Sequence, residues 1–209
     1  MASLSEVEIP RLPSTSRGRR TRAQLVAGAR AAFEKNGYLD TRVVDIAAEA
    51  DVAYGTFYTY FTSREEIFAE VVDELLADFQ AIAHAEPRVG CTPAARIARS
   101  NRGYLRAYRK NARMMAVLEQ AATFTDELMD VRRNSRGYWV DRSRRAIEQW
   151  QAEGLVDLSI DPHYAATCLG AMVNRSAYVW LVLGEPYDED VAVEHLTVLY
   201  CRSLGLPTD

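Results

Sequence analysis

The sequence is poor in cysteine and has no long apolar run. Its three cysteines, Cys91, Cys168 and Cys201, are widely spaced and odd in number. This argues against a disulfide framework, and no CxxC or Cys/His group indicates zinc; we interpret them as small apolar residues in a reducing compartment. The longest apolar stretch, Tyr178–Leu183, is far shorter than the ~20 residues of a membrane-spanning helix. The N-terminus is polar and lacks the apolar segment of a signal peptide, so we expect a cytoplasmic protein.

Motifs of catalytic sites are also missing. The three histidines, His84, His163 and His195, lie far apart, and none belongs to a nucleophile or metal motif. No serine lies in a GxSxG context, and neither GxGxxG nor a phosphate-binding loop occurs. We predict no catalytic residue, metal or cofactor, although folding can bring distant groups together and an enzyme stays an alternative.

Charge is distributed unevenly along the 209 residues. The net charge is −4, but residues 1–64 contain nine Lys and Arg against seven Asp and Glu, so the remainder carries −6. Residues 11–22 include five arginines and no acidic residue. A basic end joined to an acidic body is typical of an anion-binding head on a body with another task.

Strand signals are almost absent, whereas apolar residues recur at helical spacing throughout. We predict an all-α protein of about nine helices. Their approximate ranges are 21–36, 42–50, 53–60, 64–83, 93–109, 111–121, 125–153, 161–183 and 187–204. Glycine stands where a helix should end in a left-handed residue, as at Gly37, and either Asp40 or Thr41 is the expected cap of the second helix.

The segment Val43–Phe61 has the residue sizes that a helix-turn-helix requires. Small Ala47 stands where the two helices cross most closely. Asp51 occupies the turn, where a positive φ is needed, and Asp is among the few non-glycine residues that adopt it at modest cost. The flanking positions are apolar: Ile46, Ala50, Val52, Phe57 and Tyr60. We therefore predict an N-terminal three-helix DNA-binding domain.

The third predicted helix, Ala53–Tyr60, carries small and hydroxyl-bearing residues suited to a DNA groove. Gly55 costs ~1 kcal/mol relative to alanine in a helix, and we explain it by close approach of the backbone either to DNA or to the preceding helix. Tyr and Thr hydroxyls donate to phosphates, and a Thr methyl contacts a thymine methyl. We interpret Phe57 as core and Tyr58 as a phosphate ligand, while packing and phosphate contact suit Tyr60 equally.

Over about residues 22–70 the sequence resembles the TetR/AcrR repressor family. The matching positions are Gly37-Tyr38, Thr41, Val43, Ile46-Ala47, Ala50, Val52, Gly55-Thr56-Phe57-Tyr58, Tyr60-Phe61 and Ser63-Arg64-Glu65. Three positions depart from the pattern: Asp51 replaces the commoner glycine, Ala53 a frequent serine, and Arg64 the usual lysine. The body matches only in the number, lengths and order of its helices.

The resemblance implies a set of DNA contacts. At the start of the second helix, Thr41 and Arg42 are expected to contact the DNA backbone. Residues expected to face the major groove are Tyr54, Gly55, Thr56 and Thr59. Residues expected to hold phosphates are Tyr58, Tyr60 and Arg64. Residues 1–20 are expected to form a flexible basic arm. Its arginines and the one just after it would add phosphate contacts or enter an adjacent minor groove, or the arm is only a solvated tail. These arginines are Arg17, Arg19, Arg20 and Arg22.

The body, residues 65–209, is expected to form a C-terminal helical ligand-binding and dimerisation domain beside the DNA-binding domain of residues 21–64. One recognition helix reads few base pairs, so specificity requires two copies. In the resembled family the last two helices pair into a four-helix homodimer interface. These helices are too apolar to be solvated, so either a partner or the core covers their apolar residues. They are Ala165, Ala166, Leu169, Met172, Val173, Val179, Trp180, Leu183, Val191, Val193, Leu196, Val198, Leu199 and Leu204.

The middle helices are rich in aromatic residues and methionine. A helical core explains most of them, but the set also suits an adaptable apolar cavity, and the resemblance implies an inducer pocket there. The expected ligand-binding residues are Tyr104, Tyr108, Met115, Leu118, Phe124, Met129, Tyr138, Trp139, Asn174 and Tyr178. Asn174 either orients a ligand or is a satisfied polar group, and Arg175 either contacts ligand or is an exposed charge. The expected effector is apolar: an acyl chain, a sterol-like molecule or a drug.

Together these features predict a nucleoid-associated, ligand-responsive repressor that binds a palindromic double-stranded DNA operator as a homodimer, with no membrane partner. A small lipophilic effector would release it, with the fourth helix as lever. Two alternatives stay open: a nonspecific architectural DNA-binding protein, and a lipid-binding protein with a degenerate DNA-binding head. Activation in place of repression also stays open.

Overall fold

A computed structural model of the protein describes residues 13–84, 91–124 and 126–208. These residues form nine α-helices and no strand, which confirms the predicted all-α class. The helices are α1 (Ser16–Asp40), α2 (Val43–Glu49), α3 (Tyr54–Tyr60), α4 (Arg64–His84), α5 (Pro93–Lys110), α6 (Ala112–Ala121), α7 (Asp126–Ala152), α8 (Pro162–Leu181) and α9 (Glu189–Ser203). From α2 onward, their ends lie within two residues of the predicted ones. None of the described helices has the length and apolarity needed to cross a membrane.

The chain divides into two compact units. The first ends at Asp73 and the second begins at Glu74, so the division lies inside α4. The domain boundary expected from the sequence lies earlier, at residue 64. Each unit is described separately below.

The first helix begins earlier than predicted. The Thr15 hydroxyl accepts a hydrogen bond from the Gly18 amide at 3.0 Å and caps the helix, which starts at Ser16. The prediction of a flexible arm is therefore wrong for residues 16–20, because a threonine cap precedes residues that include three arginines, a good helix former. Residues 1–12 of that arm lie outside the described residues.

The junction between α1 and α2 also differs from the prediction. Gly37 adopts the expected positive φ of 79°, but one further turn follows it, up to Asp40. Thr41 is fully buried, and its hydroxyl donates to the Gly37 carbonyl oxygen at 2.6 Å. The cap of α2 is instead Arg42, whose amide donates to the Asp45 carboxylate at 2.9 Å. Capping by Asp40 or Thr41 is therefore a wrong prediction.

The core of the first unit is apolar and tightly packed where α1 meets the end of α2. A Cβ atom on Gly28 would stand 2.6 Å from the amide nitrogen of Ala50, so only glycine allows this approach. Phe33, Tyr38 and Phe68 form an aromatic cluster with ring centroids 4.8–5.8 Å apart. Further fully buried side chains of this unit are Leu25, Ala29, Ile46, Phe57, Ile67 and Val72.

The second unit has its own core, formed by α5, α7, α8 and α9. Several of the apolar residues for which the sequence left a partner or the core open are buried within this unit: Ala166, Leu169, Val173, Val193, Leu196 and Leu204. The core alternative holds for them, because helical periodicity alone does not say which apolar face meets a partner. Other apolar side chains of α8, α9 and the segment between them are exposed: Tyr164, Leu183, Val191 and Leu199.

Candidate functional site

The first candidate site is the helix-turn-helix of α2 and α3. Asp51 has a φ of 52° and is the only non-glycine residue with positive φ in the described part of the chain, as the sequence predicted. The amide of Val52 then donates to the Ala47 carbonyl oxygen at 3.1 Å, which closes the turn. Phe57 is fully buried and anchors α3, so the opposite side of this short helix is fixed in orientation.

The outer face of α3 is made of hydroxyl groups and bare backbone. Tyr54 and Tyr58 are 53% and 52% exposed, and their hydroxyl oxygens lie 3.1 Å apart. Thr59 and Gly55 are also exposed, Thr56 is half-buried, and α3 contains no charged residue. A Cβ on Gly55 would meet no atom within 4 Å. Packing against the preceding helix therefore does not explain this glycine.

Three predicted cations lie on the first turns of α1, in the same unit. Arg17, Arg19 and Arg20 are exposed, and Arg19 donates to the Ser14 carbonyl oxygen at 2.8 Å. Tyr60 of α3 is half-buried and lies close to the first turns of α1, because its hydroxyl oxygen is 3.6 Å from the position that a Cβ atom on Gly18 would occupy. Arg42, at the start of α2, is also exposed and forms an ion pair with Asp45 at 3.2 Å.

Two other predicted DNA ligands are structural. Arg22 pairs with Glu70 of α4 and lies 4.8 Å from the centroid of the Phe61 ring. Arg64 lies 4.4 Å from the centroid of Tyr38, and its Nη1 donates to the carbonyl oxygens of Tyr38, Leu39 and Thr41 at 3.1–3.3 Å. Both arginines hold α1 against α4, and their contact with DNA stays a prediction. Thr41 is fully buried, so its predicted contact with the DNA backbone is wrong.

We expect Arg64→Lys to lower the free energy of unfolding of the first unit by about 1–2 kcal/mol, because an ammonium group cannot stack on Tyr38 while bonding three carbonyls. Urea unfolding followed by circular dichroism measures the change. Arg42→Lys, at an exposed position, is the matched control and should be neutral. Unchanged stability together with weakened DNA binding would instead assign Arg64 to a phosphate.

The second candidate site is a cavity of about 650 Å³ within the second unit. Aromatic rings form one wall, with centroid distances of 5.5 Å between Phe79 and Tyr104 and 5.7 Å between Tyr104 and Trp139. Five of the predicted ligand-binding residues line the cavity: Tyr104, Met115, Tyr138, Trp139 and Asn174. This volume is typical of a site for a drug-sized molecule.

The other five predicted ligand-binding residues do not line it. Tyr108 and Leu118 are fully buried core residues, and Phe124 and Met129 are 46% and 36% exposed. Tyr178 lies under the guanidinium of Arg175, whose central carbon is 4.7 Å from the ring centroid. The prediction is wrong for these five because aromatic and methionine content does not distinguish a core face from a cavity face. Burial also raises the pKa of Tyr108.

A chain of polar contacts crosses the cavity wall. Asn174 donates to the Tyr104 hydroxyl at 2.8 Å, and its carbonyl oxygen accepts from Arg132 at 3.5 Å. Arg132 in turn pairs with Glu119. Asn174 is therefore a satisfied polar group that also lines the cavity, and its role in orienting a ligand stays a prediction.

The cavity is strongly basic, which sequence reasoning missed. Asp141 is its one acidic lining residue among those described, whereas seven are arginines: Arg96, Arg99, Arg132, Arg136, Arg142, Arg145 and Arg175. The available signal was the density of arginine in α5 and α7, which the prediction did not use.

The chain is similar to known regulatory proteins, in the first unit by a family model and over most of its length by individual relatives. Residues 25–71 match the family model described as bacterial regulatory proteins, tetR family. The transcriptional regulator TtgR of Pseudomonas putida is 26% identical over 177 residues, which cover 80% of this chain and 83% of TtgR. The regulator YdgC of Bacillus subtilis is 24% identical over 196 residues, covering 88% and 93%.

Solved structures share the fold at lower identity. A putative TetR-family regulator from Rhodococcus sp. has a TM-score of 0.73 at 23% identity, and the match covers 88% of this chain and 98% of that one. FadR from Bacillus subtilis, in complex with stearoyl-CoA, has a TM-score of 0.74 at 18% identity, covering 85% and 96%. The family consists of DNA-binding regulators and not of enzymes. The first unit therefore carries the sequence pattern of the tetR family of bacterial regulatory proteins, and the chain as a whole shares the fold of solved TetR-family regulators.

Proposed function

We propose that the protein is a ligand-responsive repressor that binds a palindromic operator as a homodimer. The observation that carries this proposal is the outer face of α3, where exposed hydroxyls and an unobstructed Gly55 backbone stand on a helix anchored by Phe57. Such a face forms hydrogen bonds and methyl contacts in a major groove. We assign groove contacts to Tyr54, Gly55, Thr56 and Thr59, and phosphate contacts to Tyr58 and Tyr60.

The exposed arginines of the first unit supply the electrostatic part of binding. Arg17, Arg19 and Arg20 lie on the helix that Tyr60 approaches, so we assign them to phosphates flanking the groove that α3 enters, together with Arg42. Their contribution is independent of sequence, whereas the α3 face selects the site.

Two copies of α3 are needed for a useful site length, and the last helices offer the surface to pair them. Tyr164, Val191 and Leu199 are exposed apolar residues on α8 and α9, and burying such side chains against a second copy is favourable. A twofold dimer binds an inverted repeat. Operator binding places the protein in the cytoplasm, at the DNA.

The cavity supplies the regulatory input. Leu76 and Phe79 at its wall belong to α4, the same helix whose first turn contains Arg64. A ligand that favours one position of α4 would therefore change the half-site spacing, and linkage requires DNA and ligand to oppose each other. TtgR and FadR, both similar to this chain, are regulators, and FadR was solved with stearoyl-CoA.

Selection of genomic DNA fragments by the purified protein tests this proposal. An enriched inverted repeat is the expected result. Even coverage of the genome would show an architectural protein, and no enrichment would show a ligand-binding protein whose helix-turn-helix no longer functions. Reporter transcription from the enriched site then separates repression from activation.

We expect the double variant Arg19→Gln/Arg20→Gln to bind every sequence more weakly and to flatten the dependence of log K on log salt by about 2, since each phosphate contact contributes ~0.9. Fluorescence anisotropy at several salt concentrations measures this slope. Arg113→Gln/Arg133→Gln, at exposed positions of the second unit, is the control of equal charge. A slope unchanged in the first variant would remove these arginines from the interface.

A further inference from the structure

We propose that the effector is an extended amphipathic anion, with an apolar body on the aromatic wall and a carboxylate or phosphate group among the arginines. This inference rests on the proposed ligand-responsive function and specifies the chemistry of its ligand. It replaces the purely lipophilic effector that the sequence suggested.

The charge of the lining selects an anion. Asp141, the acidic lining residue, is itself paired with Arg144 at 3.4 Å, and Arg132 is compensated by Glu119. Among the described residues, neither Arg96 nor Arg145 has a carboxylate partner. Arg145 is exposed and Arg96 is half-buried, so water solvates both, but their positive charge still makes the electrostatic potential at this end of the cavity favourable for an anion.

The arginines are held in a geometry suited to an oxyanion. The Arg96 guanidinium lies 5.3 Å from the centroid of Trp150 and defines the basic end of the cavity, whereas Arg142 lies 5.6 Å from the centroid of Trp139, on the aromatic wall itself. Stacking on an indole face leaves the N–H donors pointing outward in the guanidinium plane. In that plane they can form the paired hydrogen bonds that carboxylates and phosphates accept.

The aromatic wall and this basic end are separated along the helices. Tyr104 contacts Trp139, whereas Arg96 contacts Trp150, so α5 and α7 run antiparallel with the wall and the basic end about two turns apart. Eight residues of α5 correspond to about 12 Å. An extended chain with an acidic head spans this distance, whereas a neutral lipophile would leave Arg96 and Arg145 uncompensated and a cation would be repelled.

Binding of three probes with the same twelve-carbon chain tests the inference: laurate, dodecanol and dodecyltrimethylammonium, each below its micellar concentration. Quenching of tryptophan fluorescence and thermal stabilisation measure binding to the full-length protein. We expect the dissociation constant of laurate to be at least tenfold lower than that of dodecanol, with no measurable binding of the cation. Equal affinity for laurate and dodecanol, or no binding of laurate, would overturn the inference.

Variants locate the head group. Arg96→Gln/Arg145→Gln should raise the dissociation constant of laurate at least tenfold and leave that of dodecanol unchanged, and Arg96→Lys/Arg145→Lys should restore part of the preference. Arg113→Gln/Arg133→Gln is the matched control, since neither residue lines the cavity and neither does Asp130, the partner of Arg133, and it should behave as wild type. Loss of laurate binding in this control to the same extent would overturn the assignment. Operator selection without ligand reports separately on the proposed repressor function.

Discussion

Gly28→Ala should unfold the first unit at temperatures where the wild type is stable, with a loss of about 3 kcal/mol in the free energy of unfolding. The added methyl group would stand 2.6 Å from the Ala50 amide nitrogen and 2.7 Å from its Cβ. A backbone atom cannot move away as the end of a flexible side chain can, so α1 and α2 must separate. The α2–α3 pair, which rests on this crossing, would lose its support and with it DNA binding.

The location of the tryptophans makes this loss measurable unit by unit. All three lie at positions 139, 150 and 180, so tryptophan fluorescence reports on the second unit while circular dichroism reports on both. We expect an early dichroic transition without a fluorescence change. Gly137→Ala is the matched control, because a Cβ there would meet no atom within 4 Å, and it should slightly stabilise α7. A single transition at the wild-type temperature would contradict the close-packing argument.

Gly55→Leu should reduce operator affinity at least 100-fold without destabilising the free protein. The position is exposed, and a Cβ there meets no atom within 4 Å, so leucine is tolerated in the unbound state and even improves helix propensity by up to ~1 kcal/mol. In the complex the same side chain would occupy the space that the DNA requires. Steric exclusion from the groove would then appear as lost binding alone.

A graded series separates this effect from general damage. Gly55→Ala should give an intermediate loss of affinity, and Gly137→Leu, at an equally open glycine on α7, should leave operator binding unchanged. Fluorescence anisotropy with the selected operator measures affinity, and thermal unfolding measures stability. Wild-type affinity of Gly55→Leu would place the operator against another surface of the first unit.

The sequence predicted those features that depend on local chemistry. The ends of the helices from α2 onward follow from caps, glycines and apolar spacing. The positive φ of Asp51 follows from its position in the turn between the apolar residues of α2 and α3. The exposed hydroxyls of α3 follow in the same way, because Phe57 fixes the buried side of a helix of only seven residues.

Features that depend on the meeting of distant segments were not predictable. Arg22 and Arg64 were expected at DNA on the strength of the family resemblance, but Glu70 and the Tyr38 ring reach them only in the folded unit. The requirement for glycine at position 28 depends on Ala50, which lies far along the chain on another element. The basic lining of the cavity arises because α5 and α7 turn their arginine-rich faces toward the same space.

The hydrogen bonds of Arg64 fix the start of α4 to the rest of the first unit. The residue begins α4 and binds the carbonyl groups at the end of α1, while Glu65 accepts a hydrogen bond from Tyr38 at 3.0 Å. Burial, with this bond, raises the pKa of Tyr38 to about 12, so the phenol keeps its proton at physiological pH. The first turn of α4 is thus fixed to the junction between α1 and α2. A shift of the first turn of α4 would therefore shift the α1–α2 junction with it, so these parts of the first unit would move together and not one by one.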